Sequence, residues 1–290
     1  MIRGAFRIPN RKLKVGEMDT DRHDRAKRLG WFDLAKVSSA KVTVVGCGAL
    51  GNEVVKDLVL LGFKNITLVD MDKVVGANLN RCLFFSNNDA VKGTLKVKAV
   101  RRGAKALAPD VKFTVHAKNV EELGEALTKE TDVILGCLDN IAARLHVNAH
   151  ARKAGLPYID GATNGLVGKV QVVGSDGPCL ECSMNKTHMK ALNLRQSCTG
   201  EDISFFTPRL AAEITTTSII AAVQVREALK LVHDLKDKVL TGLFFYDGMR
   251  NESSVLEIEI NPKCSHHSRS DVTGLVSTGT PGEVDDLGQG

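Results

Sequence analysis

Long hydrophobic segments are missing from this chain of 290 residues. No apolar run reaches the roughly 18 residues that a membrane-spanning helix needs, so we expect a soluble protein that does not enter a membrane. Internal repeats are missing as well. With 43% hydrophobic residues, the chain is long enough for one large α/β domain or two small ones.

Excess positive charge is scarce outside the N-terminal segment. The net charge is +5, but Arg3, Arg7, Arg11, Lys12 and Lys14 in that segment are opposed only by Glu17 and Asp19. The remaining chain is nearly neutral, which argues against nucleic acid as the main partner. Residues 1–20 lack the serines and the long apolar core of a targeting peptide, so we predict a flexible basic arm. Seven cysteines, an odd number, indicate a reducing, cytoplasmic environment and metal-binding or catalytic roles.

A glycine-rich turn is the strongest motif in the chain. The β-branched run Lys41–Val45 ends directly in a GxGxxG formed by Gly46, Gly48 and Gly51. In such a turn the first glycine permits the bend, the second lets the backbone approach a phosphate, and the third lets the helix pack on the strand. Asp70 ends the next predicted strand, where a ribose-binding carboxylate belongs. The pattern predicts nucleotide binding but does not decide between a dinucleotide and ATP.

Strands and helices alternate along the first half of the chain. Strands are predicted at 41–45, 65–69, 112–116, 132–137, 158–161 and 169–173, with a terminal hairpin at 243–247 and 254–260. Helices are predicted at 21–37, 49–61, 94–107, 120–128, 140–154 and 211–232. The sequence predicts a polar loop at 73–90, a long crossover loop at 183–208 and a disordered tail at 268–290. The alternation predicts an α/β fold with a doubly wound, Rossmann-like, mostly parallel sheet that binds ligands at the carboxyl ends of its strands.

Three charged residues lie where this fold would bring them together. Arg81 and Lys96 lie on and just after the polar loop, and Asp139 follows a later strand of the same sheet. Taken singly, each could be a solvated surface charge. As a set they fit an enzyme that splits ATP between the α- and β-phosphates, because the cations neutralise developing charge and the carboxylate can hold Mg²⁺.

Five segments together resemble the adenylation domain of ubiquitin-type activating enzymes, a superfamily that includes ThiF and MoeB. They are GCGALG at 46–51, VDMDKV at 69–74, ANLNR at 77–81, GTLK at 93–96 and CLDN at 137–140. The resemblance covers about residues 22–267 and implies an adenylation domain at 21–267. The chain shows neither an inserted cysteine domain nor a ubiquitin-fold domain. It is therefore most similar to compact homodimeric members, such as the ubiquitin-fold-modifier activating enzyme or an archaeal ubiquitin activator.

The resemblance also implies roles for individual residues. Asp70 and Asp72 would lie around the ribose and the metal, Asn78 and Arg81 would contact phosphates, Lys96 would stabilise the transition state and Asp139 would bind Mg²⁺. Arg22 would reach the ATP of the opposite subunit in a homodimer. Read by itself, Arg22 is equally consistent with an exposed helix residue. Cys82 stands where the family usually has glutamine.

Cysteines and histidines form a second constellation. Cys179 and Cys182 make a CxxC, and Cys264 with either His266 or His267 could complete a tetrahedral zinc site. A redox pair is the alternative, but no thioredoxin-like context surrounds the CxxC. We predict structural zinc on Cys179, Cys182, Cys264 and His267, with His266 open as the fourth ligand. Relatives usually supply four cysteines here, so the histidine is a departure from their pattern.

Cys198 is the candidate nucleophile. It lies in the predicted crossover loop near Arg195, which could favour the thiolate, and thiolates attack activated carbonyls such as acyl-adenylates. The alternative is a buried loop cysteine or a spare metal ligand. The segment also resembles the thioester cysteine of the activating enzymes. Cys47, Cys82 and Cys137 lie in apolar runs and are predicted to be packing residues.

These features predict an enzyme that uses ATP and Mg²⁺ to adenylate the C-terminal glycine of a ubiquitin-like protein. Cys198 would then form a thioester and pass the acyl group to a conjugating enzyme. One alternative is a sulfur-carrier adenylyltransferase that forms no thioester. A second is an NAD-dependent oxidoreductase, and a third is a non-catalytic partner subunit. The expected cofactors are ATP, Mg²⁺ and Zn²⁺, and the expected assembly is a homodimer.

Overall fold

The computed structural model describes residues 20–184 and 211–267. The predicted arm before residue 20, residues 185–208 of the predicted crossover loop and the predicted tail lie outside the described residues. Within the described ranges, no helix combines the length and the apolar character needed to span a membrane.

One sheet of eight strands organises the described chain. The strands are β1 (Lys41–Val45), β2 (Asn65–Val69), β3 (Lys112–His116), β4 (Val133–Gly136), β5 (Tyr158–Asn164), β6 (Val167–Val173), β7 (Leu243–Asp247) and β8 (Glu252–Leu256). Their order is β3-β2-β1-β4-β5-β6-β7-β8. Strands β1 to β5 pair in parallel, and β5 to β8 pair antiparallel. This confirms the mostly parallel sheet with terminal antiparallel strands.

Helices cover both faces of the parallel half. They are α1 (Asp24–Lys27), α2 (Leu34–Ser39), α3 (Ala49–Leu61), α4 (Asn87–Lys92), α5 (Lys96–Leu107), α6 (Ile141–Ala154) and α7 (Ile214–Val232). Short 3-10 turns occupy Gly76–Asn78, Val120–Glu122, Gly124–Leu127, Leu180–Ser183 and Lys236–Lys238. Alternate residues of a strand point to opposite faces, so the sheet contributes to two hydrophobic clusters. Val44 joins the cluster that contains α3, α5 and α7, whereas Val45 joins the cluster that contains α6.

The structure differs from the predicted elements in a few places. The predicted helix at 120–128 is two 3-10 turns, because Gly124, the first residue of the second turn, has a positive φ of 50° that interrupts a helix. The predicted helix at 21–37 is α1 and α2, because Asp33 adopts an extended conformation and caps the start of α2. The polar loop at 73–90 contains the start of α4, and the last strand is 252–256 rather than 254–260.

Candidate functional site

The glycine turn joins β1 to α3 and leaves open space above it. Gly46 has a φ of 97°, and a Cβ atom there would lie 2.4 Å from the carbonyl oxygen of Cys137. A Cβ atom on Gly51 would lie 2.0 Å from the carbonyl oxygen of Gly46. Among the described residues, apart from those next to it in the chain, no heavy atom lies within 4 Å of the Cβ position of Gly48. The first and third glycines therefore permit close backbone packing, and the second keeps the space where a phosphate would approach the backbone.

Asp70 holds the glycine turn from the neighbouring strand. Its Oδ2 atom accepts a hydrogen bond from the backbone N–H of Cys47, with 2.7 Å between N and O. Its Oδ1 atom accepts one from the backbone N–H of Asp72, also at 2.7 Å. Burial raises the pKa of Asp70, although the charge of Lys96 and these two backbone hydrogen bonds act to lower it. The residue that the sequence predicted for ribose binding thus also fixes the shape of the turn.

Lys96 is the centre of the charged cluster at the carboxyl ends of the strands. Its Nζ lies 2.7 Å from Oδ2 of Asp72, and its backbone N–H donates to the carbonyl oxygen of Asp72 at 2.9 Å. Burial acts to lower the pKa of Lys96, but the charges of Asp70, Asp72 and Asp139 outweigh burial, so that this pKa is raised. Asp139 is therefore close enough to act on Lys96 through its charge. Asp139 follows β4, which pairs with β1, so it lies at the same edge of the sheet as the glycine turn.

Arg81 and Asn78 lie on the loop next to this cluster. The Arg81 guanidinium donates to the carbonyl oxygen of Ala77 and, at 2.9 Å, to the side-chain oxygen of Asn80. The side-chain oxygen of Asn78 accepts the N–H of Val75 at 3.1 Å, which closes the 3-10 turn. Burial raises the pKa of the Cys82 thiol to about 11, while the charges of both Arg81 and Lys96 act to lower it. Cys82 thus lies within electrostatic reach of both cations.

Asn52 is a residue of this site that the motif analysis missed. Its side chain is fully buried and donates to the carbonyl oxygens of Cys47 and Gly48 at 3.0 and 2.9 Å. Its side-chain oxygen accepts the N–H of Phe84 at 2.9 Å. Asn52 therefore ties the glycine turn to the loop that carries Arg81. An asparagine within the apolar first turns of α3 was the available signal, because a buried amide needs partners.

Arg22 does not join the cluster within its own chain. It lines a cavity with Gly62 and Lys64, which precede β2, and with Asp110, which precedes β3. Both segments lie at the amino ends of their strands, whereas the glycine turn lies at the carboxyl ends. Because parallel strands place these ends at opposite edges of the sheet, one chain cannot bring Arg22 to its own glycine turn.

Three cysteines and one histidine form a compact group of potential metal ligands. One ligand atom each from Cys179, Cys182, Cys264 and His267 lies within 4.8 Å of every other. The Sγ atom of Cys179 lies 3.8 Å from that of Cys182 and 3.5 Å from that of Cys264. Thiolates at the usual Zn–S distance around a tetrahedral ion would be about 3.8 Å apart, so these cysteines fit zinc.

The surrounding contacts favour His267 over His266 as the fourth ligand. The ring of His266 instead approaches Glu181, with 3.3 Å between Nε2 and Oε2. From α6, Arg152 donates to the carbonyl oxygen of His266 at 3.2 Å and approaches Nδ1 of His267 at 3.4 Å. Arg152 also donates to the carbonyl oxygen of Gly174 at 3.0 Å, so it ties the chain before the CxxC and the chain at His266 to α6.

The remaining cysteines divide into buried and undescribed positions. Cys47, Cys82 and Cys137 are buried free thiols, and burial raises the pKa of each. They are packing residues, as predicted. Cys198 lies outside the described residues.

Comparisons with known proteins give one consistent result. A model of the ThiF family matches residues 20–266. The chain is 36% identical over 157 residues to the SUMO-activating enzyme subunit 2 of Dictyostelium discoideum, covering 53% of this chain and 23% of the relative. It is 28% identical over 257 residues to the ubiquitin-like modifier-activating enzyme 5 of Gallus gallus, covering 82% of this chain and 62% of the relative. The chain thus spans less than two thirds of the length of each of these relatives.

Solved structures share the fold. The E. coli MccB structure with ATP superposes with a TM-score of 0.68 at 20% sequence identity, covering 86% of this chain and 75% of MccB. The E. coli MccB structure with MccA superposes with a TM-score of 0.70 at 18% identity, covering 86% of this chain and 74% of MccB. At these identities the likeness concerns the fold, whereas the family match extends over most of the chain. The family model matches residues 20–266, and the fold and the glycine turn agree with it. This chain therefore belongs to the ThiF family.

Proposed function

We propose that this protein adenylates the C-terminal glycine of a ubiquitin-like protein and then forms a thioester with it on Cys198. The observation that carries the first step is the cluster of Lys96, Asp72 and Asp139 beside the open space above Gly48. Support for the substrate class comes from the relatives, which are named as SUMO-activating and ubiquitin-like modifier-activating enzymes. Support for ATP comes from MccB, which shares the fold and whose crystal structure was solved with ATP.

The proposed first step forms an acyl-adenylate. An oxygen of the substrate carboxylate attacks the α-phosphorus of ATP, and the bond from this phosphorus to the bridging oxygen breaks to release pyrophosphate. A carboxylate is already ionised at neutral pH, so no side chain needs to remove a proton. Lys96 and Arg81 would neutralise charge that develops on the phosphates. Asp139 and Asp72 are the carboxylates that would hold Mg²⁺, which would supply further neutralisation.

The proposed second step transfers the acyl group to sulfur. The thiolate of Cys198 attacks the acyl carbon, the carbon–oxygen bond to AMP breaks, and AMP leaves. The acyl group would then pass to a conjugating enzyme. A second candidate is adenylation without a thioester, as in the sulfur-carrier adenylyltransferases. The structural likeness to MccB favours this second candidate, since MccB shares the fold and is not named as an activating enzyme of a ubiquitin-like protein.

Replacing Cys198 by serine should separate these two candidates. We expect ATP–pyrophosphate exchange to persist with a glycine-ended ubiquitin-like protein, while a thiol-sensitive adduct seen by mass spectrometry disappears. The change removes the sulfur but leaves the phosphate site intact. The neighbouring change Ser197→Ala is the matched control and should retain both signals. A thiol-sensitive adduct that persists in Cys198→Ser would refute the thioester assignment and favour simple adenylation.

We also propose that Arg22 completes the nucleotide site of a second copy. Its position at the amino ends of β2 and β3 excludes a role at its own glycine turn. Mixing the inactive variants Arg22→Ala and Lys96→Ala should therefore restore about a quarter of the wild-type pyrophosphate exchange, because half of the dimers would contain one intact site. Arg25→Ala is the matched control and should be active alone. If the mixture stays inactive while forming dimers, Arg22 does not act across the interface.

A further inference from the structure

Two histidines lie one helical turn apart on α6. His146 and His150 are four residues apart, so their side chains lie on the same face of this helix. Their ring centroids are 4.2 Å apart, and the ring planes are inclined by 33°. Asn140 caps the start of the helix, Gly155 caps its end, and Val147 anchors it in the hydrophobic core. A well-anchored helix thus holds two imidazole rings in contact.

The ring of His150 is fixed in one tautomer. Its Nδ1 atom lies 3.0 Å from the backbone carbonyl oxygen of His146. A carbonyl oxygen only accepts hydrogen bonds, so Nδ1 carries the proton and donates to this oxygen. In the neutral ring, Nε2 then holds the lone pair that a metal ion needs. A hydrogen bond of this kind orients many metal-ligating histidines.

The ring of His146 has a nitrogen that nothing satisfies among the described residues. Its Nε2 atom is buried and has no hydrogen-bond partner there. A buried polar atom in this state is unfavourable, and a bound water or ion is a common remedy. Burial lowers the pKa of His146, and the charge of His150 lowers it further. At neutral pH the ring is therefore uncharged and has a lone pair for a metal ion.

A carboxylate lies near this pair on a neighbouring turn. Val120 begins the 3-10 turn Val120–Glu122 and is buried in the same hydrophobic cluster as Val147 of α6. The charge of the next residue, Glu121, acts to raise the pKa of His146, so its carboxylate is within electrostatic reach of that ring. Imidazole nitrogens with a carboxylate suit Zn²⁺ and similar transition metals, whereas Mg²⁺ and Ca²⁺ prefer oxygen ligands alone.

We propose that His146 and His150 form a second metal site, which takes a divalent transition metal ion such as Zn²⁺. In the described ranges, three or more close ligand atoms occur together only in the group that contains Cys179 and Cys264. The histidine pair therefore supplies two ligands, and water or the Glu121 carboxylate completes the coordination. This site shares no residue with the cysteine group and does not depend on the proposed adenylation.

Calorimetric titration with Zn²⁺ tests the site on full-length protein that has first received one equivalent of zinc. We expect the wild type to bind one further equivalent. Its Kd should rise about 10²-fold in His146→Ala and in His150→Ala, because two ligands on one helix act at a high effective concentration. Glu121→Gln should raise the Kd by about tenfold. His266→Ala and Glu122→Gln are the matched controls and should leave this Kd unchanged.

Cobalt identifies the ligands of the further ion. Co²⁺ added to the zinc-loaded protein should give the weak visible bands of nitrogen and oxygen ligands, and the variant with both histidines replaced by alanine should lose them. Intense near-ultraviolet bands from thiolate ligands would place the ion elsewhere and overturn the inference. Absence of a further equivalent in the wild type, or equal zinc binding in the double variant, would overturn it as well. Cooperative melting of each variant would show that a loss of binding is not unfolding.

Discussion

The Lys96→Ala variant is expected to lose roughly 10²–10³-fold in the rate of ATP–pyrophosphate exchange. Lys96 is the cation that Asp70, Asp72 and Asp139 surround, and its Nζ lies 2.7 Å from Asp72. Without it, the three carboxylates stand uncompensated beside the phosphates, and the charge that develops on the leaving pyrophosphate loses a fixed counter-charge. The loss should appear mainly in kcat, because the interaction strengthens as that charge develops.

A matched lysine lies on the same helix two residues later. Lys98 is exposed on α5 and has no described ion pair, so Lys98→Ala should retain nearly all of the exchange rate. Both variants should melt cooperatively, which would separate a catalytic loss from unfolding. Exchange that is equally fast in Lys96→Ala and Lys98→Ala would contradict the role of the cluster in adenylation.

Replacing Cys264 by serine is expected to release bound zinc and to lower the melting temperature by roughly 8–16 °C. Loss of a structural metal belongs to the changes that cost about 4 kcal/mol or more, and each kcal/mol shifts the melting temperature of a domain of this size by about 2–4 °C. Cys264 joins residues that are distant in sequence, because its sulfur lies 3.5 Å from that of Cys179. A zinc ion bound there would therefore fasten the segment around Cys264 to the CxxC segment that follows β6.

The two adjacent histidines offer a matched pair for the same measurement. His267 lies in the group of ligand atoms, whereas His266 approaches Glu181. After gel filtration, metal analysis should find about one zinc per chain in the wild type and in His266→Ala, and far less in His267→Ala and Cys264→Ser. A zinc content that is already near zero in the gently purified wild type would remove the basis for this prediction.

Local sequence patterns were sufficient for most of the sheet. The strands at Lys41–Val45, Asn65–Val69 and Lys112–His116 have the predicted bounds. Each is a run of β-branched and apolar residues between turn residues, and this signal depends only on residues that are close in sequence. Residues 120–128 were predicted wrongly for the complementary reason. Their apolar spacing suits a helix, but Gly124 adopts a positive φ that the spacing does not reveal.

The candidate site was predictable as a list of residues and only partly as an arrangement. The GxGxxG and Asp70 identify the turn, since a Cβ atom on Gly46 or on Gly51 would collide with backbone oxygens. Asn52 and the pairing of Arg144 with Asp160 were not foreseen, because their partners come from other elements of the fold. A single buried polar residue signals that a partner exists but does not identify it.

The sequence by itself determined the order of the elements, the glycine turn and the residue types available for phosphate and metal chemistry, because these depend on near neighbours along the chain. Only the tertiary structure decided which residues meet. It placed Lys96 against Asp72, separated Arg22 from its own glycine turn and favoured His267 over His266. The physical reason is that charge pairing and metal geometry act over a few ångströms in space, and strand register and helix packing set those distances.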